Sequence, residues 1–275
     1  MDIKKVLKRY KFRFSLTLLL ILTEAFIGIL VPLFIGYAVD GAIHKDFTSI
    51  YHLGGLGVLL IVIGGVRRLM DSRFYAKLYI DLSAKLMVDN SKEVSKKTAR
   101  LNMLNEITEF MENQIPELIQ HTIGLFGVTF IILSLNAHIF LLALTVSLFV
   151  LIVYWLSSKK ITTYNSDYNN ELETQVNILN LPSQNELQNH VTRLTKINIK
   201  LSDLETINFS LSWMAMIVFL LLSIVISISE GITEYGALFA LIMYVYQYIE
   251  SVVSLPLFYQ QWLRLKEIYK RISTF

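Results

Sequence analysis

Glu24 stands inside a long apolar run, LTLLLILTEAFIGILVPLFIGYAV, and an ionisable group at that depth in an apolar segment is costly unless it is paired, bound or protonated. It therefore serves a polar substrate or ion, or it bonds a neighbouring helix. Gln247 and Glu250 lie three residues apart, on one face of a helix, with Tyr244 and Tyr248 close by. Together they form either the lining of a polar cavity or the seam of a dimer. His121 follows Glu117 and Gln120, and its imidazole is of a type that titrates near neutrality; a structural hydrogen bond is the plainer reading. The adjacent Arg67 and Arg68 read as an anchor at the end of an apolar run.

The residue types also exclude chemistry. The chain has no cysteine, so disulfides, thiolate metal sites and a cysteine nucleophile are ruled out. Its five histidines, at 44, 52, 121, 138 and 190, are too dispersed for a metal centre. No nucleophile–base pairing stands out, so an enzyme is not expected. These side chains read as a pathway through an apolar medium, and the elements that position them must be membrane helices.

Of the 275 residues 54% are hydrophobic, more than the 45–50% usual for soluble domains, and the charges fall in blocks between long apolar runs. Six runs have the roughly 20 apolar residues that cross a bilayer: 15–40, 50–68, 116–135, 139–158, 209–228 and 236–258. The first is too long for a cleaved signal peptide. Residues 1–14 carry six Lys or Arg, with Ile3, Val6, Leu7 and Tyr10 on one face, and predict a basic amphipathic helix on an anionic membrane surface. With both termini inside, only Lys45 among the cationic residues falls in an outer loop, which the positive-inside rule favours strongly. The expected product is an all-α, multi-pass protein of the bacterial inner membrane with two long cytoplasmic helical hairpins.

The hairpins show in the periodicity. Met70, Phe74, Leu78, Leu82 and Leu86 recur every four residues beyond the second span, which predicts one helix running on past the membrane. A reversal is expected near 96–105, and Pro116 should kink the returning helix. Ser183 and Glu186 form a capping box that starts another helix, and Leu187, Val191, Leu194, Ile197, Leu201, Leu204 and Ile207 predict its packing seam. Glycines 54, 55, 57, 64 and 65 should permit close helix packing.

This layout resembles the transmembrane domain of ABC exporters of the six-helix, type IV kind. Two stretches carry the resemblance. VPLFIGYAVDGAI, from Val31, is similar to the end of the family's first span, and Gly236, Leu238, Ala240 and Tyr244 match its G-x-L-x-A-x-x-x-Y entry to the sixth. The resemblance implies an elbow helix over 1–14, a domain-swapped homodimer or heterodimer in the bilayer, and a coupling helix at each hairpin tip. The tips, Leu101, Asn102 and Met103 in one hairpin and Leu179, Asn180 and Leu181 in the other, would dock an ATPase. Family chains usually continue into that ATPase. Here there is no Gly-Lys dipeptide, hence no phosphate-cradling G-x-x-x-x-G-K-[ST] loop, and no Phe-Phe-Asp segment in the first hairpin.

The resemblance thus implies an export subunit whose pathway holds Glu24, Tyr244, Gln247, Glu250 and His121. No cofactor is expected in this chain; ATP would act only through a separate partner subunit, and no nucleic-acid partner is expected. Two alternatives remain open: an ATPase-free relative acting as a regulatory or assembly partner, and an ion-coupled transporter using Glu24 or Glu250, although the broken helices usual in such folds are missing.

Overall fold

The computed structural model describes residues 10–87, 101, 104–179, 184–232 and 234–273, with side chains described except at 85–87, 169, 172–179, 257 and 260–273. The segment before residue 10, the capping Ser183 and the tip residues Asn102, Met103, Asn180 and Leu181 lie outside the described residues.

Six long helices form: α1 (Lys11–Ile43), α2 (Thr48–Met87), α3 (Leu104–Leu135), α4 (Ala137–Leu179), α5 (Gln184–Ser229) and α6 (Tyr235–Ser273). No strand occurs among the described residues. All six are long and apolar enough to cross a membrane. In a bilayer the backbone must satisfy itself within each segment, and a continuous helix does so.

The chain divides into two compact units, one of Met1–Ala137 with Ser223–Phe275 and one of His138–Leu222. In the first, α1 packs against α2, α3 and α6, and α3 packs against α6. The four-residue repeat on α2 has the expected outcome: Phe74, Leu78 and Leu82 are buried with Tyr10, Tyr75 and Leu104, flanked by Phe14, Tyr79, Ile107 and Met111. The rings of Tyr10 and Phe14 meet Phe74 edge-on. The start of α1 is thereby fastened to the stretch of α2 that runs on past its apolar part.

The helix is irregular just ahead of Pro116. The helix passes from Leu104 through a π-turn at Phe110–Gln114, and Pro116 sits in the first turn of the α-helical stretch Ile115–Leu135. Proline has no N–H to give and its ring crowds the preceding turn; a wider turn just upstream absorbs both.

The short connections are sequence-local. Gly41 leaves room for the Asp46 carbonyl, and the Asp46 amide donates back to the Gly41 carbonyl at 2.8 Å. Asp46 then accepts from the Thr48 amide and hydroxyl at 3.0 and 2.6 Å at the start of α2; these bonds hold its carboxyl below the ordinary value. Past the end of α5, Gly231 adopts a φ of 85°, the Gly231 amide donates to Ile228 and the Ile232 amide to Ser227. That is a Schellman stop, which favours glycine because of the positive φ.

In the second unit, Ile139, Ala143, Val146 and Val150 are buried along α4, and Asn208, Ser212, Met216 and Phe219 along α5. The Ser157 hydroxyl donates to the Asn208 side chain at 2.7 Å. The predicted seam is only partly covered in the single chain. Leu187, Val191 and Ile207 are exposed, and Leu194, Ile197, Leu201 and Leu204 are half-buried.

Candidate functional site

The two stretches that carry the family resemblance meet in space. Gly36 on α1 and Gly236 on α6 lie backbone to backbone: a Cβ on Gly36 would lie 2.6 Å from the Gly236 carbonyl, and one on Gly236 would collide with the Gly36 carbonyl and the Asp40 carboxylate. Asp40 uses the closeness, since its Oδ1 accepts the Gly236 amide at 2.7 Å. The carboxylate thus satisfies one of the amides a helix leaves open at its N-terminus and faces the positive end of the α6 dipole. Two turns further along α6, the buried Tyr244 hydroxyl donates to the Ile29 carbonyl at 3.0 Å. Ile29 lies three residues before Pro32, whose ring disturbs the α1 ladder there, so a carbonyl next to a proline turn gains an outside donor. Tyr244, expected to line a polar cavity or a dimer seam, bonds α6 to α1.

Glu24 is paired. Its Oε2 accepts from Arg67 Nε at 2.7 Å, Arg67 NH1 reaches Asp71 Oδ2 at 3.2 Å, and Thr17 donates to Asp71 Oδ1 at 2.7 Å. Arg67 is 6% exposed and Asp71 2%. Arg67 faces α1 as the centre of a buried ionic cluster, while its neighbour Arg68 is exposed. The physical reason is geometric. Adjacent helical residues point about 100° apart, so a pair of arginines cannot share one environment. The i, i+4 spacing of Arg67 and Asp71 was the sequence signal for this cluster. Gly64 makes room for it, since its Cβ position lies 3.1 Å from Glu24 Oε1. Gly54, Gly55, Gly57 and Gly65 have nothing within 4 Å. Of the five α2 glycines, only Gly64 serves a close approach among the described residues.

Gln247 and Glu250 differ in burial. Glu250 is exposed, while Gln247 is half-buried beside Gly124 and Ser251 of the α3–α6 contact, with its Oε1 buried and unpartnered among the described residues. Tyr248 is buried. His121 is half-buried against the Phe258 ring, centroids 5.4 Å apart. Glu24 thus lies on the α1–α2 contact, Tyr244 on the α1–α6 contact, and Gln247 and His121 both on the α3–α6 contact.

At the hairpins, Leu101 is half-buried and Leu104 beside it is fully buried. Leu179 closes α4, its side chain outside the described set. The second hairpin holds an ionic contact that sequence reading missed. Glu171 Oε1 meets His190 Nδ1 at 2.7 Å and Arg193 at 2.8 Å. Hydrogen bonds from His190 and then Arg193 hold the Glu171 carboxyl below its ordinary value. His190 is 1% exposed. Among the described residues, no group of three His, Asp or Glu is placed to hold a metal ion.

Chemically, this arrangement clamps helices rather than transforming a substrate. Its polar groups satisfy one another across helix pairs, as a helical membrane domain requires. The comparisons agree with that architecture. A search of curated proteins gives no match. A family model described as "ABC transporter transmembrane region" matches residues 3–236, from ahead of α1 to the second residue of α6, and so takes in the clasp between Asp40 and Gly236. The chain belongs to the family of ABC transporter transmembrane regions.

Proposed function

We propose that this transporter membrane subunit exports its substrate along a pathway between two copies or two related chains, driven by an ATPase subunit that docks on the hairpin tips. The observation that carries the reading is the chain's division into His138–Leu222 and the rest, alongside the family match. A unit made of α4 and most of α5, with its seam partly uncovered in the single chain, is what a partner-exchanging pair of helices would offer. The α1–α6 clasp and the α1–α2 ionic cluster hold the helices of the other unit to one another.

In this reading Gln247 and Glu250 on α6, with Glu24 and His121, border the pathway, and Tyr244 supports it from behind. The tips near Leu101 and Leu179 transmit the ATPase's movement. Both termini face the cytoplasm of a bacterial inner membrane, as the cation distribution favours.

Purification of the tagged protein in mild detergent, with a crosslinker placed at the hairpin tips, tests this. An ATPase subunit should be recovered, with a hydrolysis rate that rises in the presence of this protein. Recovery of the protein alone, with no nucleotide effect on its helix arrangement, would overturn the reading in favour of an ATP-independent membrane partner.

A further inference from the structure

The first turn of α1 and the outlying part of α2 enclose a cleft of about 360 Å³ lined by Tyr10, Phe12, Arg13, Lys77 and Asp81. Asp81 accepts the hydroxyl of the buried Tyr10. Among the described residues, Arg13 and Lys77 make no ion pair, so the cleft keeps an excess of one positive charge. Phe12 is 81% exposed at its edge. It starts a stripe of exposed apolar side chains, continued by Leu19, Phe26, Leu30 and Tyr37, whose spacings of seven and four place them on one face of α1. Ile80 is exposed one turn from Lys77 on α2. A small cationic cleft therefore opens onto a long apolar face at the basic end of a membrane helix.

We propose that this cleft holds the phosphodiester headgroup of an anionic phospholipid, with the acyl chains lying along the α1 stripe. The charge matches, one net positive against one phosphodiester. Arg13 offers a planar fork to phosphate oxygens and Lys77 a point charge. Asp81 retains acceptor capacity beyond the Tyr10 bond for a headgroup hydroxyl. A zwitterionic headgroup brings no net charge to the excess. A free phosphate ion would fill the cleft and leave the apolar stripe unused. The lysines and arginines at 4, 5, 8 and 9 add positive charge in the sequence just ahead.

The test uses the full chain in vesicles of equal parts phosphatidylglycerol and phosphatidylcholine, reading the relative association of spin-labelled versions of each lipid. The Arg13→Gln/Lys77→Gln double variant should lose the preference for phosphatidylglycerol about threefold or more. The single Lys77→Gln variant, at an exposed position, should show a smaller loss in the same direction. A Lys159→Gln/Lys160→Gln control, removing equal charge elsewhere, should keep the wild-type preference. Wild-type preference in the double variant, or an equal loss in the control, would overturn the site. Displacement of the labelled lipid by inorganic phosphate would assign the cleft to free phosphate and overturn the lipid.

Discussion

Arg67 shows how much a single side chain decides in this protein. It is buried between Glu24 and Asp71, and both carboxylates depend on it. Replacing one member of a buried ionic set costs about 3–5 kcal/mol, because the remaining charges are left without a counter-ion. Arg67→Gln should therefore lower the thermal unfolding temperature in detergent sharply, and Glu24→Gln less so, since Arg67 keeps Asp71. In the double-mutant cycle the Glu24→Gln/Arg67→Gln pair should fall short of the sum of the two singles. Full additivity would mean that the two side chains do not interact. Glu171 responds to pH. Its carboxyl is held below the ordinary glutamate value of 4.5, by His190 first and Arg193 second, so its stabilising share is complete above that value and lost as pH falls through the lowered one. A distance between spin labels flanking Glu171 and His190 should lengthen in that acid window in the wild type and show no such transition in Glu171→Gln.

At the scale of the element, the α1–α6 contact depends on two glycines facing each other. A methyl group at residue 236 has no space, because the Gly36 carbonyl and the Asp40 carboxylate occupy it, and neither backbone can yield without parting the helices. Gly236→Ala should destabilise the protein by about 1–3 kcal/mol. Gly54→Ala, on an open face of α2, should be neutral or stabilise by up to about 1 kcal/mol, as alanine does in a helix. Thermal melts of the two variants side by side check both signs. A destabilising Gly54→Ala would place a neighbour against that face of α2 in the assembled protein. The same reasoning separates Gly64 from the other α2 glycines, because among the described residues only Gly64 makes room for a side chain of another helix, the Glu24 carboxylate.

For the whole molecule, the partly uncovered seam of α5 and the separate unit of α4 and α5 are faces that a second chain can cover. Two differently tagged copies expressed together should co-purify through either tag in mild detergent. Because the chain has no native cysteine, single cysteines introduced at Leu194 and at Ile197 should give copy-to-copy crosslinks without background. Strictly monomeric protein under those conditions would remove the homodimer and leave only a heterodimer for the exporter reading.

The sequence by itself determined the six apolar helices, their order and the continuation of α2 and α5 beyond their apolar stretches. Length, hydropathy and four-residue periodicity are properties of a segment, and in lipid a segment must satisfy its own backbone. The family resemblance was also legible, in the stretch ending at Asp40-Gly41 and the one starting at Gly236. What those residues do was decided only by the tertiary structure, because a clasp needs both partners: Asp40 caps a helix that starts almost two hundred residues later, and Tyr244 reaches a carbonyl on α1. The partners of Arg67 and Tyr244 were not legible for the same reason. Spacing along one helix shows which side chains share a face, and only the packed neighbour decides whether that face meets lipid, a cavity or an opposite charge.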